Sequence, residues 1–187
     1  MTSPRASSTD TADTDAFSER IKRSIRDIPD FPEPGIMFRD ISTLLADHAL
    51  FRETVDAMAA PFDAIDKVVI IESRGFILGT PIAYAIGAGV VPVRKPGRLP
   101  AATFSEDYSL EYGTNALEIH QDAIVPGERI LIVDDLLATG GTVNATVKLV
   151  ERLQGEIVGV SVLAELSALN GRGTIPAGIT VHSLVVY

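Results

Sequence analysis

The sequence contains no cysteine and no tryptophan. Without cysteine there is no disulfide framework, no thiolate metal site and no cysteine nucleophile, which agrees with a reducing compartment. Aromatic residues make up 6% of the chain, too few for a stacking platform along a single-stranded polynucleotide. Positive charge is scarce as well: 16 Lys and Arg stand against 25 Asp and Glu, giving a net charge of −9. A general nucleic-acid coat or an anionic-membrane surface needs the opposite balance, whereas a small basic pocket for a small anion is still allowed. Long apolar runs are missing too. Gly75–Val93 is free of charge, but four Gly and two Pro punctuate it, so it reads as a buried helix followed by a strand rather than a membrane span. Met1–Ala16 is rich in Thr, Ser and Asp, does not read as a secretory signal, and is expected to be a disordered tail. A soluble, cytoplasmic chain is expected.

Several familiar motifs are absent. No Lys follows a Gly, so there is no Walker A lysine. The Gly-x-Gly pairs at 87/89 and 171/173 have Pro92 and Pro176 where a dinucleotide fingerprint needs its third Gly. His48, His120 and His182 are isolated, without metal-ligand spacing, and no Gly-x-Ser-x-Gly elbow occurs.

A chain of 187 residues accommodates one domain, placed here over 17–187, after the tail. Phe17–Ile28 carries a helical apolar stripe that Pro29 ends, and Ile36–Ile41 has the look of a short strand. His48–Ala60 reads as a helix. From there a rhythm is set. Apolar runs at Lys67–Ile71, Val90–Val93, Arg129–Val133, Ile157–Leu163 and Ile179–Val186 predict five strands. Helical patterns at Phe76–Ile86 and Val143–Leu153 fall between them. Buried strands alternating with amphipathic helices define an α/β fold with a mostly parallel central sheet flanked by helices. Phe104–Glu118 is polar and aromatic, and reads as a hairpin or flexible excursion.

The strongest chemical signal is Ile130-Leu-Ile-Val-Asp-Asp-Leu-Leu-Ala-Thr-Gly-Gly-Thr142. A buried strand leads to two acids, and a Thr-Gly-Gly-Thr turn opens a helix. Helix N-termini offer free N–H groups and partial positive charge, which suits phosphate. Gly140 and Gly141 allow close backbone approach, Thr139 and Thr142 add hydroxyls, and Thr142 is a candidate helix cap. Asp134 and Asp135 beside such a cradle would repel an anion unless something lies between. Sugar hydroxyls and a divalent cation are the two candidates.

The stretch Val133–Thr142 resembles the donor-binding loop of the type I phosphoribosyltransferases. Phe31-Pro-x-Pro-Gly-x-x-Phe-Arg-Asp-Ile41, Glu72-Ser-Arg-Gly-Phe76, Val93-Arg-Lys-x-Gly-Arg-Leu-Pro100 and Tyr108-Ser-Leu-Glu-Tyr-Gly113 narrow the resemblance to the adenine phosphoribosyltransferases, in that family's order and over roughly 17–187. The resemblance implies the type I fold with an N-terminal hood (17–41) over the base site and a flexible catalytic lid (101–118). It implies adenine and 5-phospho-α-D-ribose 1-diphosphate as substrates, AMP and diphosphate as products, purine salvage as the setting, magnesium as cofactor and a homodimer. By similarity, Ala138, Thr139, Gly140, Gly141 and Thr142 hold the 5′-phosphate. Asp134 and Asp135 face the ribose hydroxyls, and meet magnesium only indirectly, with the donor. Ser73 and Arg74 would hold the diphosphate, helped by Arg94, Lys95 and Arg98, and the turn at 72–75 would carry a non-proline cis peptide. Phe38 and Leu166 would flank adenine, with the backbone at Met37 and Arg39 reading its edge. Glu111 would manage the proton on the N7 side, and Tyr112 would shield the reaction from water. Pro96 departs from the basic residue many members have there, which leaves the diphosphate contacts less defined.

Overall fold

The computed structural model describes residues 8–110 and 113–187, with side chains over 15–108 and 115–187. By its contacts the chain divides into two units, Met1–Thr54 and Val55–Tyr187, where the sequence alone places one domain over 17–187.

In the first unit, helix α1 (Ser8–Ser24) is followed by strands β1 (Arg26–Pro29) and β2 (Met37–Asp40) and the short helix α2 (Ser42–Ala46). Two expectations change here. The helix takes in Ser8–Ala16, assigned above to the tail, because no Gly or Pro interrupts 8–24. It also stops at Ser24, not Ile28, and Arg26–Pro29 pairs antiparallel with Met37–Asp40. The hairpin is favoured by two crossed ion pairs between partners in register, Arg26–Asp40 and Asp27–Arg39. The connection between its strands has a cis peptide at Phe31–Pro32, and Asp30 Oδ1 accepts the Gly35 N–H at 2.8 Å. Helix α3 (His48–Ala59) follows.

The second unit is built on a five-stranded sheet. Its strands are β3 (Lys67–Ile71), β4 (Gly89–Val93), β7 (Arg129–Leu137), β8 (Glu156–Glu165) and β9 (Thr180–Val186), in the order β4-β3-β7-β8-β9. Every pairing is parallel. Helix α4 (Arg74–Ile86) joins β3 to β4, and α5 (Gly141–Arg152) joins β7 to β8. Strands β5 (Thr103–Leu110) and β6 (Gly113–His120) form the expected hairpin, tied to the chain after β4 by a bridge between Arg94 and Glu118.

Alternation along β3 and β7 sorts the core into two faces. Val69, Ile71, Ile130 and Ile132 pack with Val143, Val147 and Val150 of α5 and with Leu117 and Ile119 of the hairpin. Their neighbours face α4. A Cβ on Gly79 would lie 2.2 Å from Ile70 Cγ2 and 3.3 Å from Val133 Cβ, so α4 approaches the sheet closer than any side chain permits. Among the described residues, no helix is long and apolar enough to cross a membrane.

The strand order positions the chemistry. The chain leaves β3 toward β4 on one side, then returns to add β7 on the other. Open α/β sheets bind ligands at the carboxyl ends of strands at such a switch point. The residues after β3 (72–75) and at the end of β7 (134–142) meet there.

Candidate active site

Strand β7 runs to Leu137, past the predicted end at Val133, and carries both acids inside it. Asp134 and Asp135 are each 7% exposed. Asp134 Oδ1 accepts the Asp135 N–H at 2.9 Å, and Asp135 Oδ2 lies 2.9 Å from Arg74 Nε. Burial pushes the Asp134 carboxyl well above the ordinary range, and the Asp135 charge beside it pushes further. Burial also raises Asp135, against the pull of the Arg74 guanidinium. Gly75 brings the two segments together: a Cβ there would lie 2.9 Å from Val133 O and 3.1 Å from Asp134 Oδ1.

The segment after β3 contains the expected non-proline cis peptide, at Glu72–Ser73. Ser73 stands at the start of α4, and Arg74 turns toward Asp135. Glu72 accepts from Arg94 Nη2 at 3.2 Å and from the Lys95 N–H at 2.9 Å. Desolvation raises the Glu72 carboxyl, but the Lys95 N–H, the Arg94 guanidinium and the Arg98 charge outweigh it and hold the group low. Arg94 also donates to Arg98 O at 3.0 Å and lies over the Phe76 ring at 5.9 Å. Arg94, Lys95 and Arg98 are thus gathered beside the 72–75 turn. The Lys95 and Arg98 side chains are exposed.

Ala138–Gly140 leads into α5. Gly140 has φ +83°, a left-handed conformation that favours glycine, and no side chain caps the helix. The predicted cap, Thr142, lies inside the first turn instead, because the helix already starts at Gly141. Its first N–H groups are therefore not taken by a capping oxygen, which is what an anion site at a helix start needs. Beside the loop is a cavity of about 360 Å³, bordered by Thr139, Gly141, Asn144, Lys148, Tyr108 and Thr174. Burial raises the Tyr108 hydroxyl, and the Asp134 charge adds to it.

Several of these neighbours escape a reading by motif. Tyr108, Lys148 (2.8 Å from Glu106) and Thr174 join the loop only through the fold. The signal for Tyr108 was its place in the Tyr-Ser-Leu-Glu-Tyr-Gly segment; Thr174 had none. Leu166 follows β8, its N–H donating to Leu137 O at 2.9 Å, so it sits beside the end of β7. Met37, Phe38 and Arg39 lie on β2 in the first unit. Phe38 meets the Phe31 ring edge-on at 5.1 Å, and Met37 and Phe31 are about half exposed. Glu111 and Tyr112 lie outside the described residues.

Among the described residues no group of three His, Cys, Asp or Glu is arranged to hold a metal. Two adjacent carboxylates are too few for an all-protein magnesium cage, but they fit a cation that arrives with most of its oxygens supplied by a phosphorylated ligand.

A phosphate-ready helix start and a buried acid pair at the switch point of a parallel sheet define a phosphoribosyl-transferring class of site. The family profile described as phosphoribosyl transferase domain matches residues 41–176. An adenine phosphoribosyltransferase of Geobacter metallireducens is 57% identical over 171 residues, covering 90% of this chain and 99% of that one. The adenine phosphoribosyltransferase structure from Rhodothermus marinus superposes with a TM-score of 0.90 at 51% identity, covering 92% of this chain and 99% of that one. That from Saccharomyces cerevisiae, complexed with an imino-altritol bisphosphate and adenine, gives 0.85 at 37% identity, with coverage of 91% and 99%. The chain belongs to the adenine phosphoribosyltransferase family.

Proposed function

We infer that the chain transfers the phosphoribosyl group of 5-phospho-α-D-ribose 1-diphosphate to N9 of adenine, giving AMP and diphosphate in purine salvage. The observation that carries this reading is the uncapped, glycine-opened start of α5 directly after the buried Asp134–Asp135 pair.

In the proposed mechanism the N–H groups and hydroxyls of Ala138–Thr142 hold the 5′-phosphate. Asp134 and Asp135 accept from the ribose 2′- and 3′-hydroxyls, which orients C1′. Phe38 and Leu166 are assigned to the faces of adenine, and the backbone at Met37 and Arg39 to its edge. A backbone donor and acceptor match a 6-amino purine and leave a 6-oxo purine with unpaired groups. As N9 bonds to C1′, the C1′–O bond to diphosphate breaks and its electron pair leaves with the diphosphate. Ser73, Arg74, Arg94, Lys95 and Arg98 receive that charge. Glu111 is assigned to the proton that adenine gives up, acting on the N7 side, and Tyr112 to keeping water from the cation-like C1′. Magnesium, bound with the donor, supplies charge neutralisation to the diphosphate.

A cytoplasmic homodimer belongs to the same proposal. Tyr84 is 90% exposed and Ile77 46% exposed along α4, with Val90 42% exposed on the edge strand β4; exposed apolar side chains of this kind suit contact with a second copy of the chain. Sedimentation of the chain and of Tyr84→Asp tests that face. The activity itself is tested by mixing pure protein, magnesium, donor and each purine base in turn. AMP from adenine, with little product from hypoxanthine or guanine, is expected; absence of AMP at high enzyme concentration refutes the reading.

A further inference from the structure

Asn170-Gly171-Arg172-Gly173-Thr174 is a poor candidate for order on composition alone, since two of its five residues are glycine. It nevertheless forms a tight 3₁₀ turn, Gly171–Thr174, pressed backbone to backbone against the loop before α5. A Cβ on Gly171 would lie 2.2 Å from Ala138 O and 2.9 Å from Gly140 N. Viewed from the loop, a Cβ on Gly140 would lie 2.2 Å from Thr174 Oγ1 and 2.5 Å from Gly171 O. No side chain fits between the two segments, so the position of one sets the position of the other.

Arg172 holds the turn. Its Nε and Nη2 donate to the two oxygens of Glu165, at 3.1 and 2.5 Å. Its Nη1 donates to Val181 O at 2.8 Å, and Nη2 also reaches Ser183 Oγ at 3.1 Å. Ser183 in turn donates to Glu165 Oε2 at 2.6 Å. Glu165 is 7% exposed, so the carboxylate is fixed in the last residue of β8 while Val181 and Ser183 belong to β9. A planar guanidinium satisfied on both edges is a rigid fork, which an ammonium cannot reproduce. Asn144 Nδ2 closes the arrangement from α5, donating to Thr174 O at 3.0 Å. Strands β8 and β9 also pair through their backbones.

We propose that Arg172 is a positioning residue for donor binding: through Glu165 it holds Gly171 against Ala138 and Gly140, and so keeps the loop N–H groups converged on the 5′-phosphate. The proposal rests on reading Ala138–Thr142 as the phosphate site. The Gly140–Gly141 pair that lets the backbone approach the anion also leaves the loop free to spread, and convergent donors work only when held in place. Leu166 is secured separately by Leu137 O, so adenine recognition is largely spared.

Three variants and one measurement on the unchanged chain test this. Gly171→Ala removes none of the partners of Arg172 and forces the turn off the loop. Arg172→Met with Glu165→Gln removes the fork without stranding a buried charge. Arg172→Lys keeps the charge but not the fork. Donor KM is expected to rise about 10-fold to about 100-fold in the first two, with kcat and adenine KM changing far less, and to lie between in the third. Folded variants with unchanged donor KM overturn the proposal. So does a parallel loss of kcat and of affinity for both substrates that follows the melting temperature. If the variants do not fold, hydrogen exchange on the wild-type chain decides. Ribose 5-phosphate is expected to slow the amides of 171–174 together with those of 139–143. Protection at the loop alone overturns the role of the turn; protection at neither overturns the phosphate-site reading, and the proposal with it.

Discussion

Asp134→Asn separates what the acid pair costs from what it does. In the free chain Asp134 is buried, next to a second acid, and its carboxyl is held well above the ordinary range by desolvation and by Asp135. A group with a raised folded-state pKa contributes most stability below its unfolded pKa and loses it as pH rises. Asparagine resembles the neutral acid in size and keeps a carbonyl oxygen for the Asp135 N–H, now accepted at 2.9 Å. The substitution therefore removes an ionisation penalty without breaking a hydrogen bond. Relief of a strained buried charge at a functional site is commonly worth about 0.5–2 kcal/mol, and a chain of this size gains about 2–4 °C per kcal/mol. A rise of about 1–8 °C is expected near pH 7.5. Wild type and variant should draw together as pH falls to about 4 and converge below it, where Asp134 of the wild type becomes neutral in the unfolded state as well as the folded one. Differential scanning fluorimetry from pH 4 to 8 reads both effects. Donor affinity should move the opposite way, with KM rising about 10-fold to 150-fold, because a hydrogen bond to a charged group is worth about 1.5–3 kcal/mol. A variant less stable at neutral pH, or a gain that does not vary with pH, refutes the ionisation argument. An unchanged donor KM refutes the ribose assignment.

The remaining predictions are shorter. His182 is half-buried against the Phe62 ring with its Nε2 unpartnered, and burial together with the Arg172 charge lowers its pKa despite a hydrogen bond with the Ala57 backbone. Stability from such a histidine is present above its unfolded pKa and is lost as pH falls, so His182→Phe should flatten the fall in melting temperature between about pH 7 and 5; an unaltered slope rejects this. Gly140→Val places a β-branched side chain at φ +83°, in space filled by Thr174 and Gly171, and should raise donor KM at least about 10-fold by steady-state kinetics; wild-type donor KM rejects the loop geometry. Glu111→Leu should lower kcat about 100-fold or more while leaving donor KM within a few-fold, and an unchanged kcat removes Glu111 from the proton-transfer step.

What the sequence revealed and concealed follows from the range of each interaction. Lys67–Ile71 was legible to the residue because a continuous β-branched run signals a strand buried on both faces. The Thr-Gly-Gly-Thr turn was legible because glycine at φ +83° is a local demand. Asp134–Leu137 was not read as strand, since two acids ordinarily end a buried run. They are tolerated here by Arg74 and by a backbone N–H, and Arg74 is far away in sequence. The break after Ser24 was hidden for the same reason: Arg26 and Asp27 choose a strand through Asp40 and Arg39. Arg172 was visible only as the middle of a Gly-x-Gly that failed as a dinucleotide motif. Its importance depends on Glu165, Val181 and Ser183, whose convergence no local pattern encodes.

The same geometry explains how a chain with net charge −9 can take a polyanionic donor. Two basic groups at the switch point already have acidic partners, Arg74 with Asp135 and Arg94 with Glu72. These pairs hold the guanidiniums in place in a partly buried site, where an unpaired charge would be costly. On the proposed reading, donor binding exchanges partners: phosphate oxygens meet Arg74 while the ribose hydroxyls meet Asp134 and Asp135. Arg74 and Arg94 are thus paired before the donor arrives, and on the same reading Arg74 is paired after it. The overall charge then governs solubility and keeps polynucleotides away, and recognition of the donor depends on which local pairs it can replace.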